Sequence, residues 1–417
     1  MTAAQAVQTD IEDDGRIVCH IDGARVHSVK KYIRENYADT WTIEKYREEY
    51  PDAPTLSEAG KKVLKRQKAQ TAAKKEREAA AQKEQELKMH LVSSAASGSR
   101  DVETRTKDTQ QFGKTFDLGN SKAALNARGN PIPVTVINKM GPESRILVPD
   151  VDPNYVFNIE LTKSVLMGIE LNLPTYLWGY HGTGKTTCFE QFAARTNRPF
   201  LRVQHTVNTE EAHIVGQYIV KDGSTEFQLG PLAEAMLFGY IYCADEYDFA
   251  MPSVLSVYQP VLEGKPLVIK DAPPELRVIR PHEDFRFVAT GNTNGGGDET
   301  GLYQGTNIQN AANYSRFAIV DEVKYMEKKL EISVIASQAK IDKEDAKKLV
   351  EFATEVREQF AKSAISSTIS PRELIRAATI AIARGSDWKK GLMLGFGNRL
   401  SRVDQEVIVN YLQRTFG

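Results

Sequence analysis

The chain has 417 residues, more than one compact core accommodates and enough for two or three domains. Its composition, 41% hydrophobic and 26% charged, is that of an ordinary soluble globular protein, and no apolar run approaches the ~20 residues that span a bilayer. A formal net charge of -1 excludes a global attraction to nucleic acid or membrane, and three widely spaced cysteines, Cys19, Cys188 and Cys243, exclude a disulfide framework.

The opening "MTAAQAVQTDIEDDGR" is polar and acidic and lacks the layout of a signal peptide, so a disordered start over 1–15 and a cytoplasmic location are expected. Residues 16–60 carry aromatic and apolar positions spaced for two short helices, enough for a small N-terminal domain. Between Lys61 and His90 strong helix formers dominate, with ten Lys or Arg against four Glu, which predicts a solvated basic helix over 61–91. A Ser- and Thr-rich linker is expected over 92–130, with order beginning near Pro131. From there to about residue 325, buried runs such as "TYLW", "FLRVQ", "YIYCAD" and "FRFVATG" alternate with helical periods. That pattern predicts an α/β core with a parallel sheet covered on both faces. Residues 326–417 lose the strands and read as a helical subdomain.

The core carries one strong chemical signal. "GYHGTGKTT" lies between an apolar strand and a helical period and comprises Gly179, Tyr180, His181, Gly182, Thr183, Gly184, Lys185, Thr186 and Thr187. Glycines at these offsets let backbone N–H groups curl around phosphates while the following helix aims its positive end at them. Lys185 would reach the β- and γ-phosphates, and the Thr186 hydroxyl would ligate Mg²⁺. Neither His181 nor Cys188 is assigned a catalytic role.

"YIYCADEYD" ends an apolar strand in Asp245, placed for the Mg²⁺ shell, and Glu246, placed to polarise a water for attack on the γ-phosphate. Asn292, at the tip of "FRFVATGN", would bond the γ-phosphate or that water, and it lies in a segment with six glycines in residues 290–305. Arg316 in "NYSRF" and Arg372 in "SPREL" could each neutralise charge developing on a transferring phosphoryl group.

In this order the motifs resemble the AAA+ ATPases, within them the MoxR and dynein-related branch, and there the ATPase subunits of aerobic cobaltochelatases, the CobS type. "GTGKTTCFEQFAART", "DEYD", "VIRPHEDFR" and "GDETGLYQGT" carry the resemblance between about 153 and 325. It implies a ring, usually hexameric, holding ATP between subunits. Lys185 and Thr186 would form the Walker A site, Asp245 and Glu246 the Walker B pair, and Asn292 sensor 1. Arg316 would be the finger reaching a neighbour's nucleotide, and Arg372, in a C-terminal lid, sensor 2. The segments around Asp222-Gly223 and "KPLVIKDAPPELRVIRP" are similar to hairpins through which the family transmits nucleotide state.

Two departures stand out. Ser315 occupies the place where family members often carry an aspartate before the finger. "CHIDGARVH" is similar to a bacterial zinc-finger segment of the ROS/MucR type, but Asp22 stands where a second cysteine belongs. A closed zinc site wants four N or S ligands, so a metal-free remnant is expected.

Two functions follow. One is a ring ATPase that remodels or activates a protein partner, such as a von Willebrand factor A domain subunit of a chelatase-like complex. The other is a nucleic-acid-associated motor or adaptor using the basic N-terminal region.

Overall fold

The computed structural model describes residues 15–38, 40–59, 61, 105–119, 121–221 and 223–417. Apart from Gly15 and Lys61, the expected disordered start and basic helix lie outside the described residues, as do residues 92–104 of the expected linker. The chain divides into two compact units, 1–88 and 89–417.

The first unit pairs β1 (Ile17–Val18) with β2 (Arg25–Val26) and adds α1 (Val29–Asn36) and α2 (Ile43–Glu49). Ser28 and Thr42 cap the two helices by accepting from Lys31 and Lys45 N–H, satisfying donors that a helix start leaves unpaired. Cys19, Val29, Ile33, Ile43 and Tyr46 form its small core. Asp22 accepts from the hydroxyls of Tyr32 at 2.7 Å and Tyr37 at 2.8 Å, so its carboxylate joins the hairpin to the end of α1.

The second unit starts earlier than composition suggests. β3 (Thr106–Gln111) pairs antiparallel with β4 (Pro133–Lys139), so ordered backbone precedes residue 131. Every residue of β3 is exposed, which explains its linker-like sequence. Its anchor is the following turn, where Phe112 and Phe116 are buried against Phe157 and Phe192. Each buried ring contributes roughly 1.5–3 kcal/mol.

α3 (Ile159–Glu170) leads into β5 (Thr175–Trp178), then α4 (Lys185–Arg195), β6 (Phe200–Gln204), the hairpin β7 (Gly216–Lys221) and β8 (Ser224–Leu229), and α5 (Pro231–Phe238). There follow β9 (Ile241–Asp245), the short hairpin β10 (Leu267–Val268) with β11 (Val278–Ile279), β12 (Arg286–Gly291) and β13 (Ile319–Glu322). Five of these strands form one parallel sheet in the order β13-β5-β12-β9-β6. The inner strands are buried throughout or nearly so, as a sheet packed on both faces requires. One face packs on α3 and α4 through Val165, Phe189 and Phe192, the other on α5 through Leu232 and Met236. The first strand of this sheet in the chain, β5, lies inside it, between β13 and β12. The loops leaving β5, β9 and β12 therefore emerge side by side at the carboxyl edge, where ligands of such sheets bind.

Five helices complete the unit: α6 (Lys328–Ala339), α7 (Lys343–Ala361), α8 (Pro371–Ala383), α9 (Trp388–Gly395) and α10 (Arg402–Phe416). They enclose their own core around Leu349, Phe352, Leu374, Phe396 and Ile408. Among the described residues no helix is long and apolar enough to cross a membrane.

Candidate active site

At the carboxyl edge of the sheet a polar cavity of about 100 Å³ is lined by His181, Gly182, Gly184, Lys185, Thr186, Thr187, Arg202, Asp245, Glu246, Thr290, Gly291, Asn292 and Arg372. It brings together most of the residues singled out in the sequence. Gly179, Tyr180 and Thr183 belong to the same loop, and Gly179 and Tyr180 line the neighbouring cavity beneath the glycine-rich segment. Arg316 does not line the cavity. It stands elsewhere on the unit, paired with Glu263 through Nε at 2.7 Å.

The loop is shaped by backbone that only glycine adopts readily: Gly182 has φ +70° and Gly184, at the helix N-cap, φ +92°. Gly182 also meets the helical subdomain so closely that a Cβ there would lie 2.5 Å from Ser370 Oγ. Ser370 and Glu373 form a capping box that starts α8 and carries Arg372 to the cavity rim.

Lys185, 8% exposed, donates from Nζ to the carbonyls of Gly179 at 2.7 Å and Tyr180 at 2.9 Å and to Asn292 Oδ1 at 3.3 Å. Burial pulls its pKa down to about 8, with the Asp248 and Asp245 charges opposing the shift and Arg372 reinforcing it.

Asp245 Oδ1 accepts from the Thr186 hydroxyl at 2.6 Å and from that of Thr290, while Oδ2 accepts from Arg202 Nε at 2.8 Å. Burial alone would raise this carboxyl, but the hydroxyl donors and the Arg202 charge outweigh it and hold the pKa below the usual carboxylate value. Glu246 adopts a left-handed backbone, φ +52°, an uncommon conformation for a residue with a side chain. Gln204 Nε2 donates to its Oε2 at 2.7 Å, which holds the carboxylate at the cavity wall.

Arg202, Gln204 and Thr290 were not singled out from the sequence. Arg202 and Gln204 are two apart on edge strand β6, so they share one face, and each engages one member of the acid pair. The polar alternation in "FLRVQ" is the signal that marks them. Tyr303, inside the glycine-rich segment, accepts from His181 N–H at 2.9 Å and ties that segment to the phosphate-type loop.

The donor set suits a magnesium nucleotide better than a metal held by protein alone. Among the described residues no cluster of three or more His, Cys, Asp or Glu could hold a metal ion. Thr186 and Asp245 supply two oxygens on one side of the cavity. Thr186 and Asp245 would hold a Mg²⁺ brought with the nucleotide, which would offset phosphate charge there.

A glycine loop between a buried parallel strand and a helix, facing an acid-ended strand across a polar cavity, defines a P-loop nucleotide-binding protein. Residues 174–317 match the AAA domain of the dynein-related subfamily, and residues 331–414 match the CbbQ/NirQ/NorQ C-terminal domain. Among similar proteins, the aerobic cobaltochelatase subunit CobS of Sinorhizobium sp is 38% identical over 280 residues, covering 65% of this chain and 83% of that protein. Protein CbbQ of Hydrogenophilus thermoluteolus is 27% identical over 50% of this chain and 74% of its own length. Protein NorQ of Paracoccus denitrificans is 26% identical over 50% and 73%. The chain belongs to the dynein-related, MoxR-like branch of the AAA+ ATPases, in the group that holds CobS, CbbQ and NorQ.

Proposed function

We propose that the protein hydrolyses ATP with Mg²⁺ at the interfaces of a ring, usually a hexamer in this family, and uses the energy to remodel or activate a protein partner. The observation that carries this reading is the convergence of Lys185, Thr186, Asp245, Glu246, Asn292 and Arg372 on one polar cavity beneath a glycine loop.

In this reading Lys185 exchanges its loop carbonyls for the β- and γ-phosphates of ATP, and the loop N–H groups cradle the remaining oxygens. Thr186 and Asp245 hold Mg²⁺, which when bound offsets the negative charge of the phosphates. Glu246, steadied by Gln204, accepts the proton of the attacking water. Asn292 bonds the γ-phosphate or that water, and its contact with Lys185 keeps it at the right depth. Arg372 reaches the phosphates from the helical subdomain, so closure of that subdomain follows occupancy. Arg316 serves the nucleotide of a neighbouring copy.

The exposed hairpins are the places for the partner to engage. Tyr218 is 52% and Val220 79% exposed on β7, and Val268 and Val278 project from β10 and β11 at 57% and 51%. A subunit with a von Willebrand factor A domain, in a chelatase-like complex, is the client class suggested by the sequence resemblance. The alternative of a nucleic-acid motor rests on the zinc-finger-like segment from Cys19 to His27 and on the basic stretch 61–91, nearly all of which lies outside the described residues, and among the described residues no observation favours it.

The test is phosphate release and mass by light scattering with ATP and Mg²⁺. Wild-type protein turns over ATP and assembles into a closed ring, and Lys185→Ala loses nucleotide binding. A wild-type chain that stays monomeric at micromolar concentration and releases no phosphate refutes the reading.

A further inference from the structure

Beyond the acid pair lies a third carboxylate, Asp248, in the short turn Tyr247–Phe249 after β9. It is fully buried, and the γ-phosphate chemistry above makes no use of it. One of its oxygens, Oδ2, accepts three hydrogen bonds: from Asn292 N–H at 2.8 Å, Thr293 N–H at 2.8 Å and Thr293 Oγ1 at 2.9 Å. Its own backbone carbonyl accepts from Asn307 N–H at 2.8 Å. A single residue therefore fastens the glycine-rich segment where it leaves β12 and again where it returns.

Neighbouring strands lock the same point. Tyr176 Oη, from β5, donates to the Thr293 carbonyl at 2.9 Å. Gly291 permits the convergence, because a Cβ there would lie 1.8 Å from Tyr176 Oη and 3.1 Å from Asp248 Cγ. Asp248 Oδ1 is buried without a hydrogen-bond partner, and the carboxyl pKa is raised, chiefly by burial. A polar group retained at that desolvation cost needs a return, and packing alone does not supply one.

We propose that Asp248 is a positioning residue for ATP hydrolysis: by holding the backbone of Asn292 and Thr293 it sets Asn292 against Lys185 and at a fixed distance from Glu246. The inference rests on the function proposed above. Asp248 touches no reacting atom. It acts through Asn292, whose backbone N–H its carboxyl holds.

The experiment compares ATP turnover and nucleotide affinity for the full chain as wild type, Asp248→Ala, Asn292→Ala and the double variant. Asp248→Ala lowers kcat by about 10²-fold, the loss that a displacement near 1 Å produces, while nucleotide affinity changes less than about threefold. In the Asn292→Ala background it adds almost nothing, because a residue acting through another shows no separate effect once that other is gone. Thr293→Val, which removes one of the three bonds, lowers kcat about fivefold and is silent in the same background. It carries the test if Asp248→Ala fails to fold. Equal losses in both backgrounds, or a loss of affinity with kcat unchanged, overturn the proposal. Amide exchange of Asn292 and Thr293 without nucleotide gives an activity-independent arm. If wild type never consumes ATP, the functional reading fails while faster exchange in the Asp248 variants still supports the anchoring. Unchanged exchange defeats the anchoring whatever the turnover.

Discussion

The phosphate-type cavity and the surroundings of Arg316 differ in how completely one chain furnishes them. Within the cavity Lys185 rests on loop carbonyls, Asp245 on Thr186 and Arg202, and Glu246 on Gln204, all from the same chain. Arg316 instead stands away from the cavity, held by a part-exposed ion pair with Glu263, whose carboxyl pKa is lowered by hydrogen bonds from Lys265 and Arg316. Pairs of this kind are weak and readily exchanged. The difference teaches that one chain organises the cavity by itself, whereas Arg316, which in the proposed function serves a neighbouring copy's nucleotide, is held outside it.

The comparison is broken most directly at Arg316. Arg316→Ala should lower turnover by ~10³ or more while leaving nucleotide affinity near wild type, the loss expected of an arginine finger. Mixed with a variant deficient at Glu246, it should recover part of the activity, since some interfaces then pair an intact cavity with an intact arginine. Phosphate-release assays across mixing ratios read this out. A strictly proportional dilution places Arg316 in cis or outside the site.

Next in size, Glu246→Gln should retain ATP binding and lower kcat by about 10²–10³-fold, within the range for loss of a general base. Equilibrium binding alongside single-turnover kinetics separates the two quantities. Unimpaired turnover would move the water-activating role to another group and leave Glu246 as the partner of Gln204 only.

How much of this was legible in sequence follows from the range of the interactions. The parallel α/β core and its family were readable, because buried strands, glycine offsets and acid-ended strands are written in contiguous residues. β3 was hidden, since an exposed edge strand has no apolar alternation and is stabilised by a partner 22 or more residues on. Within the cavity, Lys185, Asp245 and Glu246 stand out because local geometry demands those residue types. Arg202 and Gln204 do not, since their roles arise only when β6 is laid beside β9. Asp248 is the extreme case, a residue in a readable motif whose three donors lie more than forty positions away. The positions 61–91 that would decide the basic-helix expectation lie, but for Lys61, outside the described residues.

The smallest effect expected concerns pH, and it tests whether the cavity is organised before nucleotide arrives. Burial lowers the Lys185 pKa to about 8, although the lysine is already bonded to two carbonyls. Phosphate oxygens favour the charged amine, so the nucleotide complex has the higher pKa of the two states. The sign follows: affinity is constant below pH 8, then weakens as the free protein loses the proton that binding must restore. The decline is roughly tenfold per pH unit until the pKa of the complex is reached. Binding titrations from pH 6.5 to 9.5 measure it, with Lys185→Arg as the control, because a guanidinium stays charged throughout and should flatten the profile. A profile equally flat in wild type would mean that the ammonium is better solvated than its burial implies, and that the cavity takes its closed form only around the nucleotide.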